Sequence, residues 1–308
     1  MDGVIVVDKP EGWTSHDVVG KMRGIVSARS RAKTGARTPG VAKAKVGHLG
    51  TLDPIATGVL PLVIGRATRL AQFYTRSEKI YEALMRFGWA TTTYDRAGEP
   101  VGERCELKIE AEELERHLDK FRGKLLQTPP AVSAKKVEGR RAYELARNNV
   151  AVELAPVEIE VYELTVLAIE GAEVRLRVHC SGGTYIRSIA HDLGRSMGCG
   201  AHIAELRRTA SGDFAISQAR TLAQLESLAA EDRLIDALVP AAELLPEFPS
   251  VLVDDIAVSQ IRDGRNFAAS PFRSQPAAMY VKAVSHHGEL VAVGEAVLPN
   301  VYHPLVVL

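Results

Sequence analysis

The residues of this chain best suited to chemistry gather around one acid. Asp53 is the sole carboxylate in Val46–Gly47–His48–Leu49–Gly50–Thr51–Leu52–Asp53–Pro54–Ile55–Ala56–Thr57–Gly58–Val59–Leu60–Pro61. Three glycines and two prolines punctuate the segment, so it reads largely as loop with a prescribed backbone. An ionised carboxylate among apolar and small residues needs a specific partner to be tolerated. A polar group on a stiff, glycine-flanked loop is also how acids are presented for catalysis. The competing reading is a surface turn built on Asp53–Pro54, a dipeptide common in turns.

Other chemistries find little support. Cys105, Cys180 and Cys199 are scattered, with no Cys-x-x-Cys pair and no histidine at ligand spacing, so neither a zinc site nor a disulfide framework is expected. The nine histidines are dispersed, and no metal site is expected. The apolar fraction of 46% and charged fraction of 25% are those of an ordinary globular protein. No apolar run approaches the ~20 residues that span a bilayer, and the acidic start Met1–Asp2–Gly3 does not read as a secretory signal. A cytoplasmic monomer is the expectation. Net charge is zero but unevenly spread: Lys21, Arg23, Arg29, Arg31, Lys33, Arg37, Lys43 and Lys45 follow one another without an acid. Residues 27–45 are expected as a basic loop, either solvated or an arm for a polyanion.

The elements that must position Asp53 can be read from periodicity. Residues 3–8 form a buried strand closed by Lys9–Pro10, and Thr14 or Ser15 caps a helix with Val18, Val19, Met22 and Ile25 on its apolar face. After a short strand at 62–65 and a helical turn at 67–74, residues 79–88 alternate, with Tyr81, Ala83, Met85 and Phe87 on one face. Residues 91–102 are turn-rich, 111–121 form an amphipathic helix, and 127–152 form a basic projecting insertion with a helical run at 142–147. Strands at 157–169 and 173–180 precede Gly182–Gly183, which turns the chain into a helix at 186–197; strands follow at 201–208 and 214–216. Thr221–Leu222–Ala223–Gln224 starts a capped helix, and residues 245–249 read as a linker to a short strand, a helix at 256–263 and a hairpin of 278–285 with 289–298. The whole reads as α+β with a largely antiparallel sheet.

Five segments, in order, resemble the motifs of the TruB family of tRNA pseudouridine synthases. They are Val7–Asp8–Lys9–Pro10–Glu11–Gly12–Trp13–Thr14–Ser15, the Asp53 segment itself, Lys79–Ile80–Tyr81, Gly182–Gly183–Thr184–Tyr185–Ile186–Arg187, and residues 200–208 with Leu206–Arg207–Arg208. The resemblance implies a pseudouridine-synthase fold: a central, largely antiparallel mixed sheet flanked by helices, forming a catalytic domain over 1–245. It also implies a small β-rich, PUA-like domain over 250–308, and a thumb-like RNA-binding insertion at about 127–152. The implied reaction converts uridine-55 in the T loop of tRNA to pseudouridine, without cofactor, metal or nucleotide. Asp53 matches the family's essential aspartate. Arg187 matches its partner, whose permanent charge would offset the cost of burying the carboxylate. Tyr81 matches the tyrosine that packs on the target base, and Tyr185 and Leu206 match residues lining the base pocket. His48, Lys9, Arg69, Lys135, Lys136, Arg140, Arg141, Arg147, Arg207 and Arg208 are the expected RNA contacts, with Lys9 read also as a support of the N-terminal motif. Two other functions compete: a chaperone of the tRNA elbow without chemistry, and a glycosylase, which needs a positioned water and usually a second carboxylate.

Overall fold

Apolar runs and apolar alternation mark different places in one sheet. The computed structural model describes residues 1–34, 44–130, 136–137, 140–141, 154–269 and 278–308. Ten strands form a mixed sheet in the order β10 (Leu238–Pro240), β1 (Gly3–Lys9), β3 (Ala56–Ile64), β8 (Ala201–Ser211), β4 (Lys79–Phe87), β7 (Glu173–Cys180), β6 (Val157–Glu170) and β5 (Gly123–Gln127). β2 (Val46–His48) pairs with β3, and β9 (Phe214–Ala215) with β8. All these pairings are antiparallel except β3 with β8, where Leu206, Arg207 and Arg208 lie opposite Ala56, Thr57 and Gly58.

β1 and β3 read as continuous apolar runs because both their faces are covered. Ile5, Val7, Leu60 and Leu62 enter the main core with helices α1 (Ser15–Thr34) and α4 (Leu222–Ala230), while Val4, Val6, Val59 and Val63 enter a second core. β4 alternates because one face is open: Tyr81, Ala83, Met85 and Phe87 are in the main core, and Glu82 and Arg86 are half-buried. The remaining helices include α2 (Ala111–Leu118) and α3 (Ile186–Ser196), whose Leu114, Leu118, Ile189 and Leu193 fill the main core.

Three expectations change. The loop expected through Pro61 becomes strand from Ala56, because Gly58 adopts φ +99° against β8; a β-carbon there would stand 2.2 Å from the Arg208 carbonyl oxygen. Of the basic loop expected at 27–45, the part up to Thr34 is helical, since Ala, Arg and Lys favour helix; residues 35–43 lie outside the described residues. The linker at 245–249 is packed rather than loose. Leu244 and Leu245 are buried in the second core, and the buried Lys282 donates from Nζ to the carbonyls of Ala242 (3.0 Å) and Leu244 (2.9 Å).

The C-terminal stretch builds a five-stranded sheet: β11 (Ser250–Val253), β13 (Tyr280–Ser285), β14 (Leu290–Leu298), β15 (Val301–Val307) and β12 (Phe267–Ala268), with helix α5 (Asp255–Arg262) against it. Val281, Ala283, Val291 and Tyr302 form its own core, whereas Leu290, Val293, Val306 and Leu308 turn into the second core under β1 and β3. Among the described residues, no helix is long and apolar enough to cross a membrane.

Candidate active site

The loop carrying Asp53 is fixed from behind by side chains that donate to its backbone. Ser15, at the start of α1, accepts from Leu52 N (2.8 Å) and donates to Leu52 O (3.1 Å) through the same hydroxyl. Lys9 is fully buried, and its Nζ donates to the carbonyls of Trp13 (2.6 Å), Pro10 (2.9 Å) and Pro54 (3.3 Å). Gly12 N donates to Pro54 O as well, at 2.8 Å. Arg208, also fully buried, donates from Nε to Val59 O (2.8 Å), from Nη2 to Gly50 O (3.1 Å) and from Nη1 to Thr51 O (3.3 Å). These contacts hold residues on both sides of Asp53, so its position is set before any ligand arrives.

The carboxylate meets its partner at the first turn of α3. Arg187 Nε donates to Asp53 Oδ2 at 2.8 Å and Nη2 donates to Oδ1 at 2.9 Å, a bidentate pair. The third nitrogen, Nη1, donates to Thr93 O (2.9 Å) and lies 3.6 Å from Asp95 Oδ2. Asp95 is 5% exposed, and its Oδ1 accepts from Thr93 Oγ1 (2.6 Å) and Ala97 N (3.0 Å). One guanidinium thus stands between two carboxylates, one facing the cavity and one buried behind it. Removing it would leave two uncompensated acids, at a cost of about 3–5 kcal/mol.

A cavity of about 840 Å³, counting its open mouth, lies in front of Asp53. Gly50, Thr51, Leu52, Asp53, Thr75, Lys79, Tyr81, Gly183, Thr184, Tyr185, Ile186, Arg187 and Leu206 line it. The five positions expected around the base, Asp53, Tyr81, Tyr185, Arg187 and Leu206, therefore share one cavity although they come from four separate segments. Burial pushes the Tyr81 phenol above its usual range, and Arg208 beside it pulls the other way. Tyr185 is held through its backbone: its N–H donates to Gln127 Oε1 (2.8 Å), and Gln127 Nε2 donates back to Tyr185 O (3.0 Å).

The expected RNA contacts separate into groups. Lys9 and Arg208 are corrected: both are wholly buried with their donors on backbone carbonyls, so neither can reach a phosphate. Arg207 is half-exposed and paired with Asp8 (2.9 and 3.1 Å). Arg69 is exposed and donates from Nη1 to Val307 O, tying the C-terminal sheet to the catalytic unit. His48 accepts from Gly50 N through Nδ1 (3.3 Å). Lys136–Val137 and Arg140–Arg141 pair as a short hairpin, but the side chains of Lys136, Arg140 and Arg141 lie outside the described residues, as do Lys135, Arg147 and the helical run at 142–147.

Sequence reading missed Ser15, Lys79, Asp95 and Gln127. For Lys79 a signal existed, since it is two residues from Tyr81 on the same strand face. Asp95 and Gln127 had none: each lies in a polar segment where an acid or amide reads as solvated.

Comparison with known proteins follows the same lines. Residues 38–186 match the TruB family pseudouridylate synthase (N terminal domain), and residues 187–246 match the tRNA pseudouridylate synthase B C-terminal domain. The junction separates Asp53 from Arg187 and falls inside α3, so the two matched stretches complete one site. The chain is 69% identical over 308 residues to tRNA pseudouridine synthase B of Solibacter usitatus (strain Ellin6076), with 100% of each covered. It is 40% identical over 300 residues to tRNA pseudouridine synthase B of Stutzerimonas stutzeri (strain A1501), covering 96% of this chain and 92% of that one. Among solved structures it is similar to a chain of a Cbf5-Nop10-Gar1 complex, with a TM-score of 0.68 and 30% identity over 97% of this chain and 79% of that chain. It is likewise similar to a chain of an H/ACA RNP bound to a substrate RNA containing 2'-deoxyuridine, with a TM-score of 0.65 and 30% identity over 96% of this chain and 78% of that chain. With four of its five motifs lining one cavity, the fifth holding the Asp53 loop from behind, and these matches spanning its length, the chain belongs to the TruB family of pseudouridylate synthases.

Proposed function

We propose that this chain isomerises uridine-55 in the T loop of tRNA to pseudouridine, with Asp53 as the essential carboxylate. The observation that carries the reading is the bidentate Asp53–Arg187 pair facing a cavity walled by Tyr81, Tyr185 and Leu206. The reaction breaks N1–C1′, turns the base and joins C5 to C1′; C5 loses its proton and N1 gains one, so atoms and electrons balance without a cofactor. The target must be extruded from the folded loop to reach the cavity. Tyr81 packs on the extruded base, and Tyr185 and Leu206 complete its walls. With its phenol held neutral by burial, Tyr81 can take the C5 proton only while handing on its own. His48 and Arg207 contact the T arm from the rim, the insertion at 127–152 closes over it, and residues 250–308 act as a PUA-like module. Binding is then salt-sensitive.

A glycosylase needs a positioned water, which a second carboxylate usually activates. Asp95 does not serve, because one of its oxygens is occupied by Thr93 and Ala97 and the other faces Arg187. The test is tritium release from C5-labelled uridine in a T-arm stem-loop. Release by the native chain and none by Asp53→Asn supports the reading. Release that survives Asp53→Asn removes Asp53 from its role, tight binding without release favours a chaperone, and free uracil favours a glycosylase.

A further inference from the structure

Lys79 is a buried cation that the chemistry so far leaves unused. It opens β4, one strand step before Tyr81 and on the same face, and it lines the cavity. It is 8% exposed, and among the described residues the one acceptor its Nζ meets is Ser77 O at 2.6 Å. An ammonium has three donors, so valences remain for a ligand. Its stem is fixed: a β-carbon on Gly50 would stand 3.4 Å from Lys79 Cε, and the Arg208 guanidinium is packed beside the same glycine. The titratable groups around it are Arg208 from β8, a like charge, and Cys180 from β7, a thiol that burial pushes up to about 11 and so keeps neutral; Asp53 lies on the cavity wall, already paired with Arg187. A lysine buried without a carboxylate partner is costly, and a cavity is where such a cost has a use.

We propose that Lys79 is a catalytic residue: beside Tyr81, its ammonium donates to a carbonyl oxygen of the extruded uracil and stabilises the negative charge that the base acquires. This rests on the function proposed above. Three routes are open to Asp53, namely attack at C1′, attack at C6, and elimination to a glycal. Each moves an electron pair onto the ring. When N1–C1′ breaks, the pair is left on N1 and shared with the ring carbonyls; when C6 is attacked, it passes through C5 to the carbonyl at C4. In the first route the Asp53–C1′ bond breaks toward the carboxylate as C5 joins C1′; in the second Asp53 leaves C6 as C5 loses its proton; in the third the C2′ proton that Asp53 removed returns to C2′ as C5 joins C1′. In each, C5 releases its proton and N1 takes one up. Lys79 keeps its own proton throughout. A preplaced donor aimed at charge that appears only during reaction raises the chemical rate more than it tightens binding.

The test compares the native chain with Lys79→Met and Lys79→Arg by single-turnover tritium release and by equilibrium binding of the same stem-loop. Lys79→Met is expected to slow release by about 100-fold or more while leaving Kd within about threefold, and Lys79→Arg to recover to within about tenfold. The pH profile gives a readout that a structural role would not move. Burial and Arg208 lower the Lys79 ammonium to about 8, so kcat/KM of the native chain falls as pH rises through about 8. In Lys79→Arg that descending limb moves to higher pH. Lys9, also lowered to about 8, is the other group that could produce the limb; a limb unchanged in Lys79→Arg belongs to Lys9 and counts against the proposal. Native-like release by Lys79→Met overturns the proposal, as does a defect confined to Kd. An inactive native chain overturns the underlying function and this inference with it.

Discussion

Arg187 and Arg208 are both almost wholly buried, at 3% and 0% exposed, yet they spend the same five-donor group on opposite partners. Arg187 sits between the carboxylates of Asp53 and Asp95, and its partner faces the cavity. Arg208 gives its donors to the carbonyls of Gly50, Thr51 and Val59. The first arrangement brings opposite charges together where a substrate can reach one of them. The second places a cation on neutral acceptors and thereby makes the backbone around Asp53 rigid. Burial of a cation therefore says nothing about its role until its acceptors are known.

Substitutions can break this comparison, and the largest effect is expected at Arg187. Arg187→Met should lower single-turnover activity by about 10³-fold or more. It should also lower stability by about 3–5 kcal/mol, because two acids lose their shared cation. Adding Asp95→Asn to that variant should restore much of the stability in denaturant titrations and none of the activity. Asp95→Asn alone is expected to cost about 10²-fold in kcat with little change in KM, since it releases the back of the Arg187 clamp. A change confined to KM would instead place Asp95 among binding residues.

Arg208→Met is expected to act in the other currency. The buried Val59 carbonyl loses its donor, at about 1–3 kcal/mol before relaxation, and the part-buried Gly50 and Thr51 carbonyls lose theirs at less, so the melting temperature falls. Activity measured below that temperature should drop only about tenfold, with faster amide exchange in the Asp53 loop. The smallest effect on chemistry is expected at Lys282. Lys282→Met removes the donors to Ala242 and Leu244, and should lower stability by about 1–3 kcal/mol while leaving single-turnover release near the native rate. A large loss of release there would mean that the seating of the C-terminal sheet reaches the active site.

The elements around the site were legible wherever local pattern and burial agree. The alternation of residues 79–88, the glycine turn before α3 and the capping box at Thr221 all appear as read, because period and capping are properties of neighbours in sequence. Errors fell where distant contacts override local preference. Gly58 reads as a loop residue until the Arg208 backbone lies against it, and residues 245–249 read as linker until Lys282 binds the carbonyls just before them. Arg208 and Lys9 read as RNA contacts because charge in a sequence carries no information about depth.

By itself the sequence determined which strands are covered on one face or two, where α3 begins, and that Asp53 needs a cation. Resemblance to the family's motifs named Arg187 as that cation. Only the tertiary structure decided that Asp95 shares it, that Lys79 stands beside Tyr81 in the cavity, and that Lys9, Ser15 and Arg208 hold the loop from behind. The physical reason is range. Periodicity and capping act within about four residues along the chain, whereas the pairing of a buried charge is fixed by whichever acceptor the finished sheet brings within 3–4 Å.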